Sequence, residues 1–223
     1  MFKETEIGFK FESDTHLCFF GNQKASLDIL KNNYPQYTFK EIKQTHSDIL
    51  IHTTNKSILC EGDAHWTEQE NTALYIKTAD CIPILIVNIE TNDILAVHAG
   101  WRGVQNKILQ KSLNSLGWKN INVFWGPHIL QDSFEVQEDV KLLLEQSCFD
   151  TDNHIFKKIG ESYYIDLLKI VQSQISSIHV NKQLFATEDT LKNPKFHSYR
   201  RDKDKSGRNI SFIVKKNHPL GMN

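Results

Sequence analysis

No stretch of this chain approaches the roughly 18 apolar residues in a row that a membrane-crossing helix needs, so no spanning segment is expected. An excess of one charge is also missing. Lys and Arg number 26 against 27 Asp and Glu, a balance that leaves no global field to hold a nucleic-acid backbone or an anionic membrane. A small or neutral partner fits better. Cysteine is sparse and scattered: Cys18, Cys60, Cys81 and Cys148 share no tight spacing, which argues against a disulfide framework and leaves reduced thiols as the expectation. The ten histidines are dispersed too, where a multicopper oxidase needs many of them clustered. Residues 1–6 begin acidic and lack the basic start and apolar run of a secretory signal, so a cytoplasmic location is expected. With no internal repeat, low-complexity tract or long linker, the 223 residues, 39% of them hydrophobic, read as a single domain spanning 1–223.

What the chain does have is concentrated in residues 75–103. Two apolar runs stand back to back there. Residues 82–89 hold Ile, Leu and Val broken only by Pro83 and Asn88, the composition of a strand buried on both faces, and residues 94–97 form a second run that ends at His98. After Ala99-Gly100-Trp101-Arg102-Gly103, apolar residues at Val104, Ile108, Leu109, Leu113 and Leu116 mark one amphipathic helix closed by Gly117. His98 therefore stands where a strand passes into a helix. Sites in sheet-based folds collect at strand ends, and the free N–H groups of a helix start favour an anion.

Elsewhere the pattern is of short alternating elements. Residues 5–20 suggest two strands, and residues 26–32 a short helix capped by Ser26 and stopped by Pro35. Strand fragments within 38–53 flank the polar block 44–48, from which His46 projects as a candidate ligand or as an ordinary turn residue. Residues 61–67 follow a strand expected to end at Cys60 and read as a loop. A strand over 121–125 stops at Gly126-Pro127, a helix is supported over 138–145, and another runs from its cap Asp166 through Ile170, Val171, Ile175 and Ile178. A basic loop over 196–208 precedes a last strand over 210–214, and residues 215–223 are expected to fray. Strands interleaved with helices indicate an α/β sandwich.

His46, Cys81 and His98 lie far apart in sequence, without the tight spacing that signals a metal site by itself. A lone Cys in an apolar strand is ordinarily a small core residue. The motifs around them add a second line. Gln44-Thr45-His46, Gly62-Asp63-Ala64, Thr78-Ala79-Asp80-Cys81-Ile82-Pro83, Val97-His98-Ala99-Gly100-Trp101-Arg102-Gly103, Gly126-Pro127, Phe134-Glu135-Val136, Phe196-His197-Ser198-Tyr199-Arg200-Arg201-Asp202 and Gly207-Arg208 occur in this order. In them the chain resembles the YfiH family, also called the polyphenol oxidase or laccase-domain family. The resemblance covers most of the chain.

The resemblance implies a layered α-β-β-α sandwich with mixed sheets, and one Zn²⁺ bound by His46, Cys81 and His98 with its fourth position open. Three protein donors leave room for water, phosphate or substrate, whereas a structural zinc fills all four positions. The implied activity is phosphorolysis of adenosine, inosine and 5′-methylthioadenosine to free base and ribose 1-phosphate, or methylthioribose 1-phosphate from the last, with deamination of adenosine beside it. The implied partners are purine nucleosides and phosphate, with the protein a monomer or weak homodimer. Phosphate needs an anion site, for which Arg102 is the first candidate and Arg200, Arg201 and Arg208 follow. Asp80 and Asp63 are candidates to orient a ligand histidine, to act as a base or, for Asp63, to contact substrate. Trp101 could stack on a purine, though core packing is the better reading.

Two departures stand out. Asp189-Thr190 occupies the place of a Cys-Thr pair common in the family, and His65-Trp66 follows Gly62-Asp63-Ala64 where aliphatic residues are usual. His65 as a fourth ligand would close the open position. Three other readings remain at this point: Cu²⁺-dependent oxidation of phenols, a metal-free cysteine hydrolase with Cys81 as nucleophile and His98 as base, and a partner-binding protein with a stabilising zinc.

Overall fold

The structure is a computed structural model, described for residues 1–56, 58–149 and 154–217. The chain opens with β1 (Lys3–Thr5), β2 (Gly8–Glu12) and β3 (His16–Gly21), then α1 (Leu27–Asn33), β4 (Thr38–Lys40) and β5 (Leu50–His52). There follow β6 (Ala64–Thr67), β7 (Thr72–Thr78), β8 (Ile82–Asn88), β9 (Ile94–Ala99), α2 (Trp101–Gln105), α3 (Ile108–Leu116) and β10 (Asn120–Trp125). The last part holds β11 (Glu135–Val136), α4 (Glu138–Ser147), β12 (Phe156–Ile159), β13 (Ser162–Ile165), α5 (Leu167–Gln174), β14 (His179–Phe185), α6 (Tyr199–Asp202) and β15 (Asn209–Lys215).

Two six-stranded mixed sheets face each other. One has the order β1-β2-β3-β15-β7-β4 and the other β14-β10-β8-β9-β6-β5, while β11-β13-β12 form a small third sheet. Alternation along each strand sorts side chains into three cores, because successive residues point to opposite faces. On β8, Ile82, Ile84 and Ile86 join Leu95, Val97 and Ala99 of β9 against the helices, where Val104, Ile108, Leu109, Leu144, Ile170 and Val171 meet them. Leu85, Val87, Ile94 and Ala96 turn the other way and meet Cys18, Phe20, Leu74, Ile76 and Ile213 of the first sheet. Beyond that sheet, Leu17, Phe19, Tyr75, Phe212 and Val214 pack under Leu30 of α1. The result is an α-β-β-α sandwich with mixed sheets. All seven residues of β8 are buried, which is why its sequence reads as a continuous apolar run. Each large aliphatic side chain so buried contributes about 1.5–3 kcal/mol of transfer free energy.

The helix starts expected at Ser26 and Asp166 are present: Ser26 Oγ accepts from Ile29 N at 3.3 Å and Asp166 Oδ1 from Lys169 N at 3.1 Å. The single helix expected from Val104 to Leu116 is instead two, separated at Lys107, whose φ is +60°. Val104, Ile108, Leu109 and Leu113 still share one core, so the break leaves no trace in the periodicity. No strand ends at Cys60; its carbonyl accepts from Lys43 N at 2.8 Å in irregular chain. Lys215 closes β15 and Lys216 N donates to Thr15 O at 2.8 Å, so the expected fraying does not begin there, and residues 218–223 lie outside the described residues. Among the described residues no helix is long and apolar enough to cross a membrane.

Candidate metal centre

Strand register brings two of the candidate ligands together. β8 and β9 pair antiparallel with Pro83 opposite His98, so Cys81, just before β8, lies beside the end of β9. The turn that delivers Cys81 carries Asp80 at φ +88°, and the loop after β4 carries His46 at φ +60°. Left-handed backbone at a non-glycine residue costs on the order of 1 kcal/mol and persists only where neighbours hold it. Gln44 supplies one such hold. Its amide donates to Lys77 O and accepts from Lys77 N, both at 2.8 Å, completing the hydrogen bonding of β7 as a strand would. Asp63, just ahead of β6, supplies the other by accepting from Thr45 N at 3.1 Å, Ser47 N at 2.6 Å and Ser47 Oγ at 2.7 Å. The His46 loop is thus tied to both sheets.

The ligand atoms of His46, Cys81 and His98 all lie within 4.8 Å of one another. Cys81 Sγ is 3.8 Å from His46 Nε2, and the two imidazole rings stand 4.8 Å apart at 75°. A tetrahedral zinc with bonds of about 2.3 Å to sulfur and about 2.0 Å to nitrogen separates those donors by about 3.5 Å. The observed spacing fits that with little closure. His46 is exposed, Cys81 half-buried and His98 buried, so the group opens to solvent on one side. Gly100 floors it: a Cβ there would lie 2.8 Å from His46 Cδ2 and 3.0 Å from Cys81 Sγ.

Without an ion, Cys81 and His98 form a thiolate–imidazolium pair, so a metal bound there takes the place of the Nε2 proton of His98. Burial pushes the Cys81 thiol up, but the His98 charge and hydrogen bonds from His46 and His98 outweigh it and bring its pKa down to about 6. Burial works against a charged His98, yet the Cys81 thiolate and the Asp63 carboxylate raise it to about 9. Burial likewise opposes a charged Asp63, and hydrogen bonds from His98 and Ser47 still hold it well below the usual carboxylate range. His98 Nδ1–H donates to Asp63 Oδ1 at 2.7 Å, which leaves Nε2 as the ligand atom. A soft thiolate and two imidazoles form a donor set for zinc or copper.

The other candidates are placed differently. Arg102 is exposed and stacks on Trp101 at 4.6 Å, and its guanidinium makes no hydrogen bond or ion pair among the described residues. The five residues of α2 add little of the helix field expected beside it. Trp101 packs against the helix-side core, as expected. Asp63 has no exposed side-chain surface to offer a substrate. Asp80 has both oxygens engaged, Oδ1 by Thr190 Oγ1 at 2.7 Å and Oδ2 by Arg200 N at 2.6 Å, which leaves it poorly placed to serve as a base. Arg200 donates to Glu135 O at 2.9 Å, close to the Cys81 turn. Arg201 is turned inward, against the expectation of a phosphate contact: its guanidinium donates to Thr190 O, Leu191 O, Phe196 O and both oxygens of Asp202. Arg208 donates to Ser206 O and Gly207 O. His65 lies on β6, fully buried, beside Thr53 Oγ1 at 3.3 Å and outside the donor group. Asp189 accepts from Ser133 Oγ at 2.5 Å and Leu191 N at 3.1 Å. Gln44, Thr45 and Gly100 were not singled out individually by sequence but lie within its motifs, and Ser47 lies only within the polar block 44–48.

Residues 2–216 match the family described as multi-copper polyphenol oxidoreductase laccase. The chain belongs to this family. A relative from Clostridium acetobutylicum, named a purine nucleoside phosphorylase, is 33% identical over 96% of this chain and 94% of its own. A second from Shigella flexneri, named purine nucleoside phosphorylase YfiH, is 31% identical over 77% of this chain and 72% of its own. The fold matches the crystal structure of Bacillus licheniformis hypothetical protein YfiH with a TM-score of 0.86 at 19% identity, covering 96% of this chain and 99% of that one. YlmD from Geobacillus stearothermophilus matches at a TM-score of 0.80 and 18% identity, covering 97% and 99%.

Proposed function

We propose that this laccase-family chain is a zinc-dependent purine nucleoside phosphorylase that also deaminates adenosine, with His46, Cys81 and His98 holding the ion. The convergence of those three donors within 4.8 Å at a solvent-open floor is the observation that carries the reading, and the names of the relatives supply the substrate class. When bound, such an ion supplies Lewis acidity beside an open coordination position. The side chains do the rest. Asp63 keeps His98 in the tautomer that presents Nε2, and Arg102, exposed and without an ion pair among the described residues, binds phosphate. Arg200, held at Glu135 O, is the second candidate for the anion. In phosphorolysis a phosphate oxygen bonds to C1′ as the C1′–N9 bond breaks, and the electron pair leaves into the purine, which takes up a proton.

The family's description names several coppers, and copper outranks zinc at most nitrogen and sulfur sites. Among the described residues, however, His46, Cys81 and His98 are the one group of three donors, too few for a multi-copper electron relay. The thiolate–imidazolium pairing of Cys81 with His98 is what favours the metal-free hydrolase as a second reading. Metal analysis of protein purified without added metal, together with phosphate-dependent release of adenine from adenosine, separates these. About one zinc per chain, with cleavage lost in Cys81→Ala, supports the proposal. Metal-free protein that is active until Cys81 is alkylated refutes it, and phenol oxidation confined to copper-loaded protein replaces it. Release of ammonia from adenosine without phosphate tests the deaminase part separately.

A further inference from the structure

Four donors converge on the two oxygens of one buried carboxylate. Oδ1 of Asp63 accepts from His98 Nδ1 at 2.7 Å. Oδ2 accepts from Thr45 N at 3.1 Å, Ser47 N at 2.6 Å and Ser47 Oγ at 2.7 Å. The backbone carbonyl of the same residue accepts from His98 N at 2.8 Å, fixing the main chain of that ligand as well as its ring. Thr45 and Ser47 are the residues on either side of His46. One carboxylate therefore grips the ring of one histidine and brackets the other.

We propose that Asp63 is a positioning residue that sets His46 and His98 as a single unit, so that metal affinity depends on a side chain that does not touch the ion. The proposal rests on the metal reading of the site. Two features require such a grip. His46 is exposed and sits at φ +60°, a conformation that its own packing does not hold. His98 presents Nε2 only while a pure acceptor faces Nδ1. The same carboxylate meets both needs because it has no proton to offer on either side.

Asparagine tests this by chemistry more than by size. If its NH₂ faces His98, Nδ1 must accept and the proton moves to Nε2, the ligand atom. If it faces Ser47, it meets two N–H donors and loses the bracket around His46. Neither orientation serves both histidines, whereas the aspartate serves both at once.

The experiment measures Zn²⁺ and Co²⁺ binding to chelator-stripped protein by competition with a chromophoric chelator, for wild type, Asp63→Asn and Ser47→Ala, with denaturant unfolding of each metal-free protein as the fold control. Asp63→Asn is expected to weaken zinc binding about 10- to 100-fold, the range for lost outer partners of metal-bound histidines. Ser47→Ala, which removes one of the four donors, is expected to weaken it about 3- to 5-fold, the equivalent of one hydrogen bond. In the cobalt form the sulfur-to-cobalt charge-transfer band of Cys81 is expected to persist while the ligand-field bands shift as an imidazole withdraws. Folded Asp63→Asn that binds zinc within about two-fold of wild type and keeps the wild-type cobalt spectrum overturns the proposal. Where Asp63→Asn does not fold, Ser47→Ala decides, and unchanged affinity there overturns it. Wild type that binds neither metal overturns the metal reading itself, before any variant is compared.

Discussion

Gly100→Ala is the sharpest available probe of the donor group, because the substitution strikes side chains and spares the backbone. Gly100 has φ −74° and ψ 165°, an extended conformation open to any residue. An added Cβ would stand 2.8 Å from His46 Cδ2, 3.5 Å from His46 Nε2 and 3.0 Å from Cys81 Sγ. Ordinary carbon–carbon contact is about 3.5–4.0 Å, so His46 must retreat by roughly 0.7 Å or more. Metal sites tolerate displacements of about 0.2 Å, a third or less of that retreat. His46 is exposed and has room to swing out, so the strain is relieved by the ligand and the fold is spared. In the metal-free protein, alanine at a compatible conformation adds about 0.4–1 kcal/mol by restricting the unfolded chain. The expected result is an unfolding midpoint at or slightly above wild type, with zinc affinity weakened about 100-fold, or about 2.7 kcal/mol. Chelator competition gives the affinity and urea unfolding of stripped protein gives the stability. Wild-type affinity would refute the reasoning, and so would a large loss of metal-free stability, since the backbone would then have absorbed the clash.

Arg102→Ala and Arg201→Ala are expected to separate binding from structure. Loss of the exposed Arg102 raises KM for phosphate about 10-fold or more with the melting temperature unchanged, while loss of Arg201, whose guanidinium holds three backbone carbonyls, lowers stability by about 2 kcal/mol and leaves that KM alone; steady-state kinetics and thermal melts check both. Burial holds His65 neutral, its pKa lowered from 6.5 to about 3. The unfolded chain therefore takes up the proton first, stability is intact above about pH 6.5, and it falls as pH drops toward 3, by about 2 kcal/mol at pH 5. Denaturant titrations across that window should show a flatter profile in His65→Leu, and an unchanged profile would count against a buried neutral imidazole. Zinc at about 100 times its dissociation constant should stabilise the folded chain by about 2.7 kcal/mol, seen as a melting shift that Cys81→Ala abolishes.

The positions of the three donors could be named from motifs, yet nothing in the residues themselves showed that they meet. Cys81 and His98 meet because β8 and β9 pair in a register that sets Pro83 against His98, and His46 joins them because Gln44 and Asp63 each tie its loop to a different sheet. Arg201 stood behind Arg102 as a phosphate candidate in the sequence, and the carbonyls of residues 190, 191 and 196 on its guanidinium turn it to a structural role. Asp63 could be read as an orienter, a base or a substrate contact, and only its complete burial separates these. The hairpin of β12 and β13 has no signal in the sequence, since all of its residues but Ile165 are half-exposed or exposed and lack clean alternation.

By itself the sequence determined that β8 is buried on both faces and where α1 and α5 begin, because a continuous apolar run and capping at a helix start are settled by residues a few positions apart. Only the tertiary structure decided the break at Lys107, the floor at Gly100 and the double grip of Asp63. Those depend on which strands pair and where the loops cross, contacts between residues distant in the chain that no local pattern encodes.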